Sequence, residues 1–264
     1  MPGPKPTPAE SSIMIQPQDS LSIVLPVYNE AATIERVLRD LHAKIAVKLA
    51  DVEFIVAEDG STDGTKEVLQ RLAPELQLRL VTGKERKGYT RAVKDALALP
   101  TREWVFFTDS DGQQEAEDFW TLAAKASEGY DVVTGVKTPR HDPWPRLALS
   151  RGLRAMNRVL LGARFRDANC GFRLMRREVV KAVLPRVNRL PLFINTEFLL
   201  RAQAQGYRIA EVEVRHYARE DGGSRGLPPS RIPREVALLV RGLVELRGEF
   251  KRDGAALSTA ARPR

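Results

Sequence analysis

The chain has 264 residues, of which 43% are hydrophobic, 42 are Lys or Arg and 34 are Asp or Glu. This length and apolar content suffice to bury the core of one large domain or two small ones, which excludes a chain that is disordered throughout. Its single cysteine, Cys170, excludes an internal disulfide and a Cys-rich zinc site. No apolar run reaches the roughly 18–20 residues that span a bilayer, and no secretory-signal pattern opens the sequence, so we expect a cytoplasmic protein.

The charge is distributed unevenly along the chain. Residues 1–136 carry 15 basic and 22 acidic side chains, whereas residues 137–264 carry 27 basic and 12 acidic ones. Acidic clusters bind divalent cations, and basic clusters bind phosphate, nucleic acid or an anionic membrane surface. The asymmetry therefore predicts two different binding tasks, unless it reflects only a solvated surface of uneven charge.

Short apolar runs alternate with helical patterns after a Pro- and Ser-rich flexible tail at 1–19. Short β-branched runs that end in turn formers predict strands over Leu21–Leu25, Val52–Val56, Leu78–Val81 and Trp104–Phe107. Apolar residues at helical spacing predict helices over Ala31–Val47, from Thr65 to about Leu72, and from Gly88 to Leu97. This alternation is typical of the α/β class, with a mostly parallel, twisted sheet of Rossmann-like type flanked by helices.

The second half continues the alternation with more basic helices. Strands are predicted over Asp131–Gly135, Cys170–Met175 and Arg208–Val214, and helices over Arg146–Leu161, Glu197–Gln205 and Ile232–Glu249. The last of these helices is amphipathic, and we place it within a segment at 229–250 that is followed by a second flexible tail at 251–264.

Polar clusters follow three of the predicted strands, at Tyr28–Glu30, Glu58–Ser61 and Asp109–Asp111. Because ligands bind at the carboxyl ends of the strands of an open parallel sheet, we expect the three clusters to converge in space. Each cluster alone also fits an ordinary turn or helix cap.

Asp109 and Asp111 point to one side if the chain is still extended there. Two such carboxylates repel each other unless a cation lies between them, and Mg²⁺ prefers oxygen ligands together with waters and substrate phosphates. Gln113 lies two residues further on and offers another oxygen. Asp-Ser-Asp-Gly is also good turn sequence, so a metal site and a capped turn remain the two readings, of which the buried strand before it favours the metal.

Several other classes fit the sequence poorly. Neither GxxxxGK[ST] nor GxGxxG follows the first strand, which argues against a P-loop enzyme and a dinucleotide-binding oxidoreductase. The loop Val27–Glu30 also differs from the Gly-rich basic loop of sugar nucleotidyltransferases. Only 6% of residues are aromatic, and the arginines are not interleaved with them, so we expect no nucleic-acid partner.

Taken together, SIVLPVYNE, EDGSTDGT, FFTDSDGQ and CGFRLMRREV, in this order, resemble the family 2 inverting glycosyltransferases of GT-A fold. Within that family they are most similar to the dolichol-phosphate mannose synthase-like and polyprenyl-phosphate sugar transferases. The resemblance runs from about Leu21 to Arg225. It implies a GT-A domain at 20–228, with a nucleotide-sugar half at 20–136 and an acceptor half at 137–228.

By this resemblance, the nucleotide-sugar half binds the donor, a GDP-mannose or a UDP-sugar. Pro26, Tyr28 and Glu30 are expected to line the nucleoside pocket, with Glu30 toward the ribose. Asp59, and less clearly Glu58, are expected at the nucleobase or ribose. The metal-binding pattern Asp-x-Asp-x-Gln of the subgroup falls on Asp109, Asp111 and Gln113, which implies a Mg²⁺ or Mn²⁺ cofactor and a catalytic role for Asp111.

The acceptor half is expected to bind the phosphate of a polyprenyl or dolichyl acceptor at a membrane surface. Arg146 and Ser150 keep the family spacing for that site, and Lys137 stands where an arginine is usual. The segment 219–225 is similar to the mobile loop of the family, whose arginine, here Arg219, meets the donor diphosphate.

Two questions stay open from the sequence. A phosphate monoester is already largely dianionic at neutral pH and needs no base, whereas a hydroxyl acceptor on a glycan or small molecule needs one, for which Glu197 is the candidate. Glu197 is equally well explained as a first-turn helix carboxylate. The amphipathic helix either lies peripherally on the cytoplasmic membrane face or packs on the core of its own domain.

Overall fold

The computed structural model describes residues 19–139, 144–218 and 232–254, without the side chains of 144–150 and 232–233. Seven strands lie in this part of the chain: β1 (Ser20–Val27), β2 (Asp51–Glu58), β3 (Leu78–Thr82), β4 (Trp104–Thr108), β5 (Val132–Lys137), β6 (Phe172–Arg176) and β7 (Ile209–Val214). The α-helices there are α1 (Ile34–Lys44), α2 (Thr65–Glu75), α3 (Tyr89–Leu97), α4 (Phe119–Ala126), α5 (Trp144–Leu161), α6 (Arg177–Val183), α7 (Ile194–Ala204) and α8 (Ile232–Arg252).

The strands form one sheet in the order β3-β2-β1-β4-β6-β5-β7. β1 pairs in parallel with both β2 and β4, β2 with β3, and β5 with β7. Only β6 runs antiparallel to its neighbours, β4 and β5. The predicted mostly parallel sheet is confirmed, and both halves of the sequence contribute strands to it.

Helices cover both faces of the sheet because alternate residues of each central strand enter opposite cores. Leu21, Ile23 and Leu25 pack with α1, α2 and α4, whereas Val24 packs on the other face with α3, α6 and α7. The central strands are buried on both sides, as expected for a parallel sheet between two helical layers. This arrangement leaves the ends of the strands as the place where polar side chains gather.

The C-terminal helix α8 packs on the domain through one apolar stripe. Leu239, Leu243, Leu246 and Phe250 are buried in a third core that also contains Leu153 and Leu161 of α5. On its outer side, Leu238, Val240 and Val244 are exposed. Packing on the core, one of the two alternatives for this helix, therefore accounts for the buried stripe and leaves the outer side unexplained.

The helix and strand bounds differ from the predictions in a few places. α1 begins at Ile34 rather than Ala31, because Glu30–Thr33 form a turn in which the Thr33 and Ile34 amides donate to the Glu30 carbonyl. β1 continues through Pro26 to Val27, beyond the last residue that pairs with β4, Val24. The short helices α4 and α6, of eight and seven residues, were not predicted, and α8 extends to Arg252, past the predicted 250. Most of the predicted tails, 1–18 and 255–264, lies outside the described residues.

Across the part of the chain that the structure describes, we find no helix that combines the length and the apolar character required to cross a bilayer.

Candidate active site

The three polar clusters lie along the edge of the sheet that is formed by the carboxyl ends of its parallel strands. β2, β1 and β4 are neighbours in that order, and Val27 at the end of β1 stands beside Glu58 at the end of β2. Because the three strands are parallel, Tyr28–Glu30, Glu58–Ser61 and Asp109–Asp111 all follow their carboxyl ends. The predicted convergence is therefore present in the fold.

The loop after β1 is joined to the loop after β2 by reciprocal hydrogen bonds. The Asn29 amide donates to Ser61 Oγ (2.9 Å), the Thr62 amide donates to Asn29 Oδ1 (2.8 Å), and the Glu30 amide donates to Thr65 Oγ1 (2.8 Å). Asn29 adopts a left-handed φ of 52°, which asparagine tolerates better than most residues. Glu30 is buried, and its carboxylate accepts a bond from Thr33 Oγ1. These bonds hold the two loops, and with them the predicted nucleoside-binding residues, in a fixed relation to each other.

Asp59 holds the start of α3 in place. Its carboxylate oxygens accept the amides of Lys87 (2.8 Å) and Gly88 (2.9 Å), the two residues before that helix. Glu58 is also buried and accepts the Ser61 amide, with Lys66 Nζ 3.9 Å from its other oxygen. Both carboxylates therefore have structural bonds within the fold, in addition to any role toward the nucleobase or ribose.

Arg86, which was not predicted as a site residue, lies against Tyr28, one of the predicted nucleoside-binding residues. The Arg86 guanidinium carbon lies 4.2 Å from the centroid of the Tyr28 ring, in a cation–π arrangement. Arg86 is 58 residues away from Tyr28 in sequence, and it lies in a loop without a motif. No local pattern pointed to this pair.

Asp109 occupies a tight position at the end of β4. Its amide donates to the Gly171 carbonyl (3.1 Å), and a Cβ at position 171 would overlap the Asp109 carboxylate. Burial, together with the negative charge of Asp111, raises the pKa of Asp109 to about 6, while the positive charges of Lys137 and Arg173 act in the opposite direction. Glycine is therefore required at 171 for the carboxylate to stand where it does.

Asp111 and Gln113 lie in the turn that follows. The Gln113 amide donates to Asp111 Oδ1 (3.2 Å), and Gln113 Nε2 donates to the Tyr217 carbonyl (2.9 Å). The Tyr217 amide in turn donates to the Gln113 carbonyl (2.8 Å). These bonds connect the Asp109–Gln113 segment to the residues just before 219.

The side-chain oxygens of Asp109, Asp111 and Gln113 suit a hard divalent cation, but the protein supplies only part of its coordination shell. Among the described residues no group of three or more His, Cys, Asp or Glu side chains is arranged to hold a metal. Asp109 and Asp111 supply two carboxylates whose mutual repulsion a cation would relieve, and Mg²⁺ and Mn²⁺ commonly complete their coordination with water and substrate phosphate. A metal site at this edge therefore depends on the substrate for its remaining ligands.

The predicted acceptor residues are described only in part. Lys137 ends β5, and its charge is near enough to act on Asp109. Arg146 and Ser150 lie within α5, but their side chains fall outside the described residues, and Arg219 lies outside them altogether. The described part of α5 exposes three further arginines, at 151, 154 and 158.

The environment of Glu197 differs from what a general base requires. The side chain is 1% exposed, and its two oxygens accept the amides of residues 188, 189 and 190 at 2.7–2.8 Å. Arg201 Nε donates to Oε1 at 2.8 Å, and Arg201 also pairs with Glu249 of α8. Four donors already occupy this carboxylate, so the geometry supports the structural alternative for Glu197 and gives the base alternative no free oxygen.

Comparison with known proteins assigns the chain to a family. Residues 22–184 match the family described as Glycosyl transferase family 2. An undecaprenyl-phosphate 4-deoxy-4-formamido-L-arabinose transferase from Enterobacter sp. (strain 638) is 30% identical over 210 residues, 78% of this chain and 62% of that protein. Glycosyltransferase AglD of Haloferax volcanii is 34% identical over 202 residues, 74% of this chain and 32% of that protein. The chain thus matches about three fifths of the first relative and about one third of the second.

Solved structures confirm the type of fold. Glucosyl-3-phosphoglycerate synthase from Mycobacterium tuberculosis, in complex with Mn²⁺, UDP-glucose and phosphoglyceric acid, superimposes with a TM-score of 0.66 at 22% identity, covering 87% of this chain and 80% of that one. Mannosyl-3-phosphoglycerate synthase from Rubrobacter xylanophilus gives a TM-score of 0.60 at 17% identity, with 90% and 76% coverage. The predicted GT-A fold is therefore confirmed.

Proposed function

The chain belongs to glycosyl transferase family 2 and is a glycosyltransferase, and on that premise we propose that it transfers a sugar, with inversion, from a nucleotide-diphosphate sugar to a polyprenyl phosphate. The observation that carries the proposal is the carboxylate pair, Asp109 and Asp111, at the same sheet edge as the Tyr28–Glu30 and Glu58–Ser61 loops. The donor is a UDP- or GDP-sugar, and the cation is Mg²⁺ or Mn²⁺.

The donor half of the reaction follows from the charges at this edge. Asp109 and Asp111 would hold the cation, with Gln113 in the same turn, and Arg219 would bind the diphosphate. A bound divalent cation stabilises the charge that develops on the leaving diphosphate. Tyr28, with Arg86 against its ring, would flank the base or ribose, and Pro26, Glu30 and Asp59 would fix the pocket wall. The Mn²⁺ and UDP-glucose bound by the mycobacterial synthase support this assignment.

A phosphate acceptor is favoured over a hydroxyl acceptor by what surrounds the reacting edge. A phosphate monoester has a second pKa near about 6 and attacks without a base. The only candidate base from the sequence, Glu197, uses both oxygens within the fold. Lys137, Arg146 and Ser150 would bind the acceptor phosphate, and the undecaprenyl-phosphate transferase among the relatives supports a lipid carrier.

With a lipid-phosphate acceptor, the proposal extends to peripheral binding of the protein on the cytoplasmic face of a membrane. α5 exposes Arg151, Arg154 and Arg158, which suit anionic headgroups, at about 1 kcal/mol for each basic residue near the surface. α8, which packs against α5, exposes Leu238, Val240 and Val244 on its outer side. Exposed basic and apolar side chains are the combination that interfacial helices use.

A transfer assay with matched acceptors tests this proposal. The protein is incubated with Mn²⁺ and radiolabelled UDP- and GDP-sugars, together with polyprenyl phosphate, the dephosphorylated polyprenol or phosphoglyceric acid. We expect label to enter the organic phase only with polyprenyl phosphate. Transfer to the polyprenol as well would restore the hydroxyl-acceptor alternative, and transfer only to phosphoglyceric acid would refute the lipid.

A further inference from the structure

The hydroxyl group of Tyr89 bridges the candidate metal carboxylate and a buried asparagine. Tyr89 Oη donates to Asp109 Oδ1 at 3.0 Å and accepts a hydrogen bond from Asn195 Nδ2 at 3.1 Å. We propose that Tyr89 is a positioning residue that fixes the Asp109 carboxylate for metal binding, and that Asn195 fixes Tyr89. This inference rests on the proposed function, because it takes Asp109 to be a metal ligand.

Tyr89 is not held in place by core packing. The residue is 46% exposed, yet its hydroxyl lies between two groups that belong to other elements. Tyr89 is the first residue of α3, directly after Gly88, whose φ of 90° suits glycine. The Gly88 and Lys87 amides donate to Asp59, so the loop after β2 determines where Tyr89 stands.

Asn195 is fixed from the other side by a buried arginine. Asn195 is itself buried, and its carbonyl accepts a bond from Arg173 Nη1 (3.2 Å). Arg173 Nη2 donates to the Cys170 carbonyl (2.9 Å), and the next residue, Gly171, accepts the Asp109 amide through its own carbonyl. The contacts therefore close a ring that begins and ends at Asp109.

This ring restricts the carboxylate in a way that matches the needs of a metal ligand. A carboxylate that accepts a bond on one oxygen keeps the other oxygen available and loses freedom about its χ angles. A phenol hydroxyl donates a hydrogen bond as a neutral group and leaves the charge of the carboxylate for the metal. Hydrogen bonds of this kind to metal ligands typically contribute 10- to 100-fold in metal affinity.

Three variants and one matched control separate this role from a general effect on the fold. Tyr89→Phe removes only the hydroxyl, Asn195→Ala removes the group that holds it, and the third variant combines both changes. Tyr130→Phe is the matched control: it removes a phenol hydroxyl from a residue two positions before β5, at the end of that strand away from Lys137. For each protein, calorimetry measures the affinity for Mn²⁺ in the presence of UDP or GDP, the affinity for each nucleotide in EDTA, and the thermal midpoint.

We expect Tyr89→Phe to weaken Mn²⁺ binding roughly tenfold, the lower end of what such partners contribute. Asn195→Ala should weaken it less, and the double variant should match Tyr89→Phe, because Asn195 acts through the hydroxyl. Nucleotide affinity in EDTA and the Tyr130→Phe control should stay unchanged, Tyr89→Phe should keep its thermal midpoint, and saturating Mn²⁺ should restore kcat.

Two results would overturn the inference while leaving the proposed function intact. One is a Tyr89→Phe protein that binds Mn²⁺ as tightly as the unmodified chain. The other is a loss in the double variant that equals the two single losses combined. If the unmodified chain itself shows no Mn²⁺-dependent binding of UDP or GDP, the proposed function fails, and the inference fails with it.

Discussion

Replacing Glu197 by glutamine distinguishes a structural carboxylate from a catalytic one. The substitution keeps the shape of the side chain but removes its charge and turns one oxygen into an NH₂ donor. In the structure each oxygen accepts two bonds: Oε1 from the Asn188 amide and Arg201, and Oε2 from the Arg189 and Leu190 amides. Whichever way the new amide is oriented, two buried donors will face another donor.

The magnitude follows from the burial of this cluster. Removing one partner of a buried ion pair costs about 3–5 kcal/mol, because the other charge remains buried without compensation. In Glu197→Gln the charge left behind is that of Arg201. Arg201 is almost completely buried, and among the described residues it would keep one ion-pair partner, Glu249. For a chain of this size we expect a fall in the thermal midpoint of about 6 to 20 °C, at roughly 2–4 °C per kcal/mol.

The assay combines thermal unfolding with steady-state kinetics well below the new midpoint. We expect Glu197→Gln to be strongly destabilised while kcat changes less than about threefold. Arg201→Met is the matched control, because it breaks the same pair and leaves the carboxylate in place, so the two variants should resemble each other. The reasoning is refuted if Glu197→Gln keeps its midpoint and loses about 10²–10⁴-fold in kcat, the contribution typical of a general base.

Three further predictions concern the residues around β4. Asp111→Asn should abolish metal-dependent transfer with an unchanged thermal midpoint, and full activity in this variant would remove Asp111 from the site. In Gly171→Ala the added Cβ would overlap the Asp109 carboxylate and displace it. Because a displacement of about 1 Å in an active site can cost about 100-fold, we expect kcat/KM to fall by about that factor. Wild-type kinetics would contradict that overlap. Burial raises the pKa of the Cys170 thiol to about 11, so iodoacetamide at pH 8 should label the unfolded chain and spare the native one, and rapid native labelling would show that the thiol is accessible.

The sheet was predictable because its strands carry local signals. Runs such as Trp104–Phe107 are short, apolar and bounded by turn residues, and the structure has a strand at each of the seven predicted places. The direction of β6 was not predictable, because nothing in Phe172–Arg176 distinguishes a parallel from an antiparallel partner. α4 and α6 were not predicted, because they have only eight and seven residues, too few for a helical period to stand out.

In the candidate site, too, some features were predictable from the sequence and others were not. Asp109, Asp111 and Gln113 stand in one short segment, so their residue types and spacing alone made them candidate metal ligands. The shared side of the two carboxylates was predicted for an extended chain, whereas the structure bends at 110–112. The contacts of Asp109 with Tyr89 and Gly171 join residues 20 and 62 positions away and left no pattern in the sequence. Glu197 shows the limit most clearly, since its first-turn position was visible but its three amide partners at 188–190 come from tertiary structure.

The central claim is that the carboxyl edge of β4 holds a divalent cation against the donor diphosphate. Anomalous diffraction from crystals grown with Mn²⁺ and UDP, or with Mn²⁺ and GDP, tests it most directly. We predict one manganese peak in contact with Asp111 and Asp109 and with the diphosphate. A nucleotide bound at this edge without a manganese peak, or a peak ligated elsewhere in the molecule, would contradict the account.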